Sequence, residues 1–294
     1  MQSHDEPRYR ITRKEMLRRA ARPRAPKPGS ALTLRRALHI HRVHLPSQWP
    51  TFTPYVLASE LQAALAAPHH AYKAEPRGAP PSPTVLSFTP SPTYTLGRRQ
   101  RDLGDGVEDV LTAPLRVVRD AGAIKGGEGG AEETSFTPLV THSSRGGLTT
   151  YHGPGQLVVW PVLDLRSPLY PPQTVRSYAR LLEDTTISFL HALYGIRGVR
   201  DEENPGVWVG ERKIAAMGIH LRRHVATLGV AVNLAVPVEG GEEVNPWARF
   251  VPCGIEGRGV TSVRGEVGDE ALVDGVVVAR VWADEFARRL ESGE

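Results

Sequence analysis

The 294-residue chain holds a single cysteine, Cys253. An internal disulfide is therefore excluded, the composition suits a reducing compartment, and any thiol chemistry falls to that one residue. Long apolar runs are also missing. None approaches the ~20 residues that cross a bilayer, so no membrane partner is expected. The glycine-rich residues 122–133 hold no G-x-x-x-x-G-K-[ST], and no G-x-G-x-x-G between a strand and a helix, so no nucleotide loop is read there. His69, His70, His220 and His224 show no metal-ligand spacing. Acidic residues are scarce at one end only. Residues 1–45 carry 12 Lys/Arg against 3 Asp/Glu, a balance of +9, so the other 249 residues carry 4 − 9 = −5. The pI near 9.3 belongs to that tail. A nucleic-acid-binding domain would itself be basic, so nucleic acid is not the expected partner.

The basic segment is rich in arginine from Arg8 to Arg42 with one acid, Glu15, and has Leu17, Leu32, Leu34, Leu38 and Ile40 scattered through it. That composition resembles a mitochondrial transit peptide, with Asp5 and Glu6 atypical, and implies delivery to the mitochondrial matrix. A plain basic tail is the alternative. The expected division is a disordered segment over 1–48 and a folded domain over 49–294.

Within the folded part, Val56 to Ala67 reads as a helix with Val56, Leu57, Leu61, Ala64 and Leu65 inward and Pro68 ending it. Thr84–Thr89 reads as a short strand, and Leu115–Val118 as another. Residues 122–133 are low-complexity. Leu157–Leu165 is a continuous apolar run and reads as a buried strand. Residues 174–194 read as a helix capped by Thr174 and stopped by Gly195. Val207–Val209, a turn at Gly210–Arg212 and Lys213–Leu221 read as a hairpin, and Val225–Leu234 as a further strand. Residues 270–290 carry a second amphipathic pattern. Interspersed strands and helices with hairpins predict an α/β domain, a mixed sheet with flanking helices.

Three stretches bear on chemistry. Arg145-Gly-Gly-Leu-Thr-Thr-Tyr-His-Gly-Pro-Gly-Gln156 is polar and glycine-rich and leads into the buried strand; it is either a binding wall or an ordinary turn. Cys253 lies in Phe250-Val-Pro-Cys-Gly-Ile255, between residues that break regular structure. A lone cysteine is more often a small buried hydrophobe than a nucleophile. At an ordinary pKa near ~8.5, about 3% of a thiol is ionised at pH 7, and a nearby ammonium that lowered it by about two units would raise that to roughly three-quarters. Lys213, which opens an apolar strand, is a candidate for that cation, although such a lysine often only snorkels to solvent. His152 alone reads as a structural histidine.

With this spacing, the R-G-G…T-Y-H-G-P-G-Q block, the Pro205–Ile219 block (P-G-V-W-V-G-E-R-K-I-A-A-M-G-I) and the F-V-P-C-G-I block resemble, in order, the signatures of the lipoyl(octanoyl) transferases of the eukaryotic mitochondrial type. The P-S-P-T-Y-T-L-G-R-R-Q stretch (Pro90–Gln100) adds to the likeness, which runs from about residue 50 to residue 290. It implies the fold of biotin and lipoate protein ligases, with 49–294 as the catalytic domain. It implies Cys253 as acyl-accepting nucleophile and Lys213 as its acid/base partner. It places Arg145, Gly146, Gly147, Thr150, Tyr151, His152, Ala216, Met217, Gly218 and Gly229 around the acyl chain. The donor would be octanoyl-acyl carrier protein. The acceptors would be lipoyl domains of 2-oxoacid dehydrogenases and the glycine cleavage H protein. No cofactor or metal is implied, and a monomer is expected. Two positions depart from the family pattern: Leu148 stands at a usually polar site, and Leu228 stands where the family has histidine. An apolar tunnel drawing on Leu148, Met217, Leu228 and Val230 is expected. The rival readings are an ATP-dependent ligase of the same fold and a non-catalytic relative.

Overall fold

A computed structural model describes residues 38–100, 102–119, 132–251 and 257–294. In chain order its elements are β1 (His41–His44), α1 (Tyr55–Ala74), β2 (Thr84–Phe88), β3 (Thr93–Leu96), α2 (Val107–Thr112), β4 (Leu115–Arg119), β5 (Glu132–Phe136), β6 (Leu139–His142), β7 (Thr150–His152), β8 (Gln156–Asp164), α3 (Val175–Tyr194), β9 (Val199–Arg200), β10 (Gly206–Val209), β11 (Arg212–Arg222), β12 (Val225–Asn233), β13 (Gly259–Val260), α4 (Val263–Val267) and α5 (Gly275–Ser292).

The apolar run that reads as a buried strand is β8, buried at all nine positions. It lies inside a mixed sheet of order β1-β2-β8-β12-β11-β10-β9, with β13 joined to β11. The β1–β2 and β11–β13 pairs are parallel, and the other neighbours are antiparallel. Alternation along β8 explains why a continuous apolar run is needed: Leu157, Val159 and Leu163 face one core, Val158 and Trp160 the other. The first core is closed by α3 and α5, tied together where Trp282 Nε1 donates to Thr186 Oγ1 at 3.0 Å. The second is closed by α1, whose Lys73 ammonium donates to both oxygens of Asp164 at the end of β8, at 2.9 and 2.8 Å. A smaller sheet, β6-β3-β7, stands beside it, and β4 pairs with β5.

The helix α3 has the expected bounds for the expected reasons. Thr174 and Ser177 form a reciprocal capping box, and Gly195 takes the left-handed C-cap conformation. Three expectations are corrected. Pro68 does not end α1, which continues to Ala74. The proline removes one N–H, but Ala66 and His69 are buried on either side of it and Lys73 is paired, so packing holds the last turns. The inward face of α1 is Tyr55, Ala58, Gln62 and Ala66, with Leu61 and Leu65 packed against the core as expected, while Val56, Leu57 and Ala64 are exposed. The ordered domain also begins before Trp49, because β1 lies parallel to β2. Residues 1–37, most of the low-complexity stretch and Pro252–Glu256 fall outside the described residues. No helix among the described residues is long and apolar enough to cross a membrane.

Candidate active site

The β10–β11 hairpin carries Lys213 directly across from Trp208. Lys213 is buried, its Nζ donates to Pro205 O at 3.3 Å, and it lies 4.7 Å from the centroid of the Trp208 ring. The Arg258 guanidinium lies over the same ring at 3.7 Å. The Pro205–Gly206 peptide is itself held from α3, where buried Glu183 accepts from Gly206 N at 2.9 Å. Burial pushes the Glu183 carboxyl up, and the Gly206 N–H opposes that shift. The snorkelling alternative for Lys213 is thus excluded: its stem and head are turned into the protein.

A narrow cavity of about 50 Å³ opens beside it, lined by Lys213, Arg145, Thr150, His152, Ala216, Met217, Gly218, Gly229, Leu228, Val230, Ala231, Tyr55 and Trp160. Strand alternation chooses among the residues of β7: Thr150 and His152 face the cavity, and Tyr151 points away into a cluster with Tyr94 and Trp247. Tyr151 therefore does not line the cavity, contrary to expectation. Gly146 and Gly147 do not line it either. Their carbonyls fasten the loop, Gly146 O accepting from Arg145 Nη1 at 3.0 Å and Gly147 O from Arg99 N at 3.2 Å. Leu148 is half-buried and also absent from the wall.

Arg145 is buried, and its Nη2 donates to Thr95 O at 2.6 Å and to Thr95 Oγ1 at 2.9 Å. Its stem runs across Gly218, where a β-carbon would come within 3.0 Å of Arg145 Cδ. His152 is stacked on Tyr55 with centroids 5.4 Å apart, and Tyr55 meets Trp160 edge-on at 5.3 Å. Burial first, and then the Arg145 charge, hold the His152 imidazole down to about 3, so it is neutral near pH 7. Its tautomer follows from its partners. Gln156 Nε2 donates to Asn233 Oδ1 at 2.8 Å and to Tyr151 O at 3.2 Å, which turns Gln156 Oε1 towards His152 Nδ1 at 3.3 Å. Nδ1 then carries the hydrogen and Nε2 is an acceptor. Two cations and no carboxylate are among the lining residues, so the cavity favours a thiolate or an oxyanion.

Cys253 lies outside the described residues, but the chain on both sides of it is fixed. Before it, the Arg249 guanidinium donates to the carbonyls of Glu242, Leu111, Ala113 and Pro114 at 2.7–3.2 Å. After it, Gly259 and Val260 pair with Arg212 and Lys213, Thr261 N donates to Lys213 O at 3.0 Å, and Asn233 Nδ2 donates to Thr261 O at 2.9 Å. The chain that follows Cys253 therefore returns alongside Lys213.

Tyr55, Trp160 and Ala231 were not singled out from the sequence. Only Tyr55, an aromatic at the start of a helix, carried any signal. Leu228, Met217 and Val230 do line the cavity, as expected of an apolar wall.

Residues 137–286 match the lipoyl protein ligase A/B catalytic domain. The chain is 35% identical over 190 residues to the mitochondrial octanoyl-[acyl-carrier-protein]:protein N-octanoyltransferase LIPT2 of Xenopus tropicalis, covering 62% of this chain and 75% of that one. It is 33% identical over 206 residues to an octanoyltransferase of Gloeobacter violaceus, covering 70% of this chain and 74% of that one. The P. falciparum LipL1 structure with lipoate superposes with a TM-score of 0.52 at 11% identity, over 87% of this chain and 63% of that one, which shows a shared lipoate protein ligase fold. With its family domain, its fold and its relatives in agreement, the chain belongs to the octanoyltransferases of the lipoyl protein ligase A/B family.

Proposed function

We propose that this protein transfers an octanoyl group from octanoyl-acyl carrier protein to a lysine of lipoyl domains, through a thioester on Cys253. The observation that carries the reading is the buried Lys213 in the wall of a mainly apolar slot, with the chain that follows Cys253 paired to its own strand. The slot is walled by the small residues Ala216, Gly218, Gly229 and Ala231, and at about 50 Å³ it widens to take an octanoyl chain. The relatives named above are octanoyltransferases, and one is mitochondrial, which together with the basic N-terminal composition supports a mitochondrial site of action.

In the first half-reaction the Lys213 ammonium stabilises the Cys253 thiolate, which attacks the thioester carbonyl. The tetrahedral adduct collapses, the carbon–sulfur bond to the carrier breaks, and Lys213 protonates the departing thiolate. In the second half, the neutral amine of the acceptor lysine attacks the acyl-enzyme. Its proton passes to Lys213, the amide forms, and the Cys253 thiolate is released beside the restored ammonium. Thioesters are already activated, so the cycle needs no ATP. His152, neutral and fixed by Gln156, shapes the wall and takes no proton in this scheme. Arg145 supplies positive potential. Kinetics are ping-pong.

Intact-protein mass spectrometry tests this. Incubation with octanoyl-acyl carrier protein should add one hydroxylamine-sensitive octanoyl group to the wild type and none to Cys253→Ala. No adduct on a folded wild type with a competent donor would overturn the reading. Labelling of a lipoyl domain that required ATP and free lipoate would assign a ligase instead.

A further inference from the structure

The slot has a far end. Of the residues that line it, only Tyr55 and Leu228 also line a second cavity of about 410 Å³. That second space is wider and its lining is mixed. Ala66 and Val225 floor it, while Gln62, His70, His142, His220 and Arg222 supply polar sides. The slot and the wider cavity are thus neighbours that share two side chains. Lys213 lines the slot but not the cavity beyond, so an acyl chain with its carbonyl at Lys213 meets Tyr55 and Leu228 with its tail.

Leu228 holds its place by an unusual route. Along β12, Ala226, Val230 and Val232 face the core under α3 and α5. By alternation Leu228 belongs with them. It is instead packed with Tyr55, Phe88 and Trp160 on the opposite face. The switch comes from the backbone, because Leu228 has φ +63°, in the left-handed region. It occurs where the β12–β8 ladder is interrupted: Ala226 pairs with Leu163 and pairing resumes only at Val230 with Val159, leaving Pro161, which has no N–H, opposite the gap. Leu228 is thus a buried leucine in a conformation that leucine disfavours, and it lines both cavities.

We propose that Leu228 is the stop that sets the length of acyl chain this protein accepts, by closing the acyl slot against the wider cavity behind it. The proposal rests on the acyl-transfer reading of the slot. A chain longer than the slot must displace Leu228 or fold back. Without the side chain, the extra methylenes can run on over Ala66 and Val225.

The test uses the purified full chain with hexanoyl-, octanoyl-, decanoyl- and dodecanoyl-acyl carrier protein, and compares the wild type with Leu228→Gly and Leu228→Phe. Glycine suits the positive φ and removes the wall; phenylalanine thickens it. The wild-type kcat/KM should fall at least tenfold from octanoyl to dodecanoyl. The same ratio should shrink to within about threefold in Leu228→Gly, and the optimum should move towards hexanoyl in Leu228→Phe. An unchanged dodecanoyl-to-octanoyl ratio in folded Leu228→Gly, or an equal loss on every chain, would overturn the proposal. Should the wild type transfer no chain of any length, the transfer reading fails by itself. Calorimetric titration with octanoate and dodecanoate then decides the stop: at least tenfold tighter dodecanoate binding in Leu228→Gly than in wild type upholds it, and unchanged selectivity rejects it.

Discussion

The ammonium of Lys213 and the indole of Trp208 face each other across the β10–β11 hairpin, 4.7 Å from nitrogen to ring centroid. The ring gives a desolvated cation a favourable neighbour without adding a charge that would compete for it, an interaction worth about 0.5–2 kcal/mol. Trp208→Phe should retain much of this, and Trp208→Leu should lose it, slowing acyl-enzyme formation roughly 2- to 30-fold. Lys213→Met, which keeps the stem and removes the proton carrier, should slow it by about 10²–10⁴. Rapid-quench mass spectrometry on the three variants checks the order. A Trp208→Leu protein as fast as Trp208→Phe would show that the ring merely fills space.

Glu183 acts on the same lysine at one remove. Its carboxylate accepts from Gly206 N, and the neighbouring Pro205 carbonyl accepts from Lys213. Glu183→Ala should leave a buried N–H without a partner and cost about 1–3 kcal/mol in urea unfolding. It should also slow the acyl-enzyme step, because the peptide that receives Lys213 is loosened. Glu183→Gln retains an acceptor oxygen and should restore most of both. Recovery of stability without recovery of rate would separate the two roles and contradict this account.

The imidazole of His152 imposes a pH dependence of known sign. Its folded-state value is about 3 against 6.5 for a free histidine. Between those limits the unfolded chain binds a proton that the folded chain refuses, so stability is full above about 6.5 and falls as the pH drops towards 3. The slope from this one group approaches about 1.4 kcal/mol per pH unit. His44, His69, His70 and His220 are shifted in the same direction, so the total cannot be assigned to one side chain. The difference between wild type and His152→Gln can. Urea midpoints from pH 7.5 down to 4.5 should fall less steeply in the variant, and parallel curves would remove His152 from the explanation.

Much of the site is legible in the chain because it is built from local rules. A continuous apolar run gave β8, Thr174 and Gly195 bracket α3, and the turn at Gly210 places Lys213 on a hairpin. The failures are of another kind. The glycine-rich block reads as one unit, but β7 alternates, so Tyr151 turns its back on the cavity that Thr150 and His152 face. The inward face of α1 is decided by Tyr55 meeting His152 and Trp160, residues roughly 100 positions away in sequence; helical periodicity alone favours the more apolar Val56 and Leu57. Leu228 is the clearest case. Nothing in the apolar pattern of β12 announces a left-handed residue. The gap in the ladder opposite Pro161, where it sits, is visible only once β8 and β12 are paired.

Gly218 and Gly229, Cα partners on β11 and β12, are glycines for different reasons, and substitution should expose the difference. A β-carbon on Gly218 would lie 3.0 Å from Cδ and 3.1 Å from Cβ of Arg145. That stem can give by a few tenths of an ångström, but it is anchored by the two bonds to Thr95. Gly218→Ala should therefore fold with a loss of about 1–3 kcal/mol and raise KM for the acyl donor more than it lowers kcat, because the displaced guanidinium borders the slot. At Gly229 the β-carbon would meet Val159 O at 2.3 Å and Pro161 Cδ at 2.7 Å. A backbone carbonyl and a ring within the central strand cannot step aside without parting β8 from β12. Gly229→Ala should be the more damaging of the pair, beyond 3 kcal/mol or insoluble, as expected where overpacking forces the backbone itself to move. Urea unfolding of the two variants gives the ranking. A Gly229→Ala protein as stable as Gly218→Ala would mean that β12 can slide away from β8, and that the Leu228 wall is softer than its burial suggests.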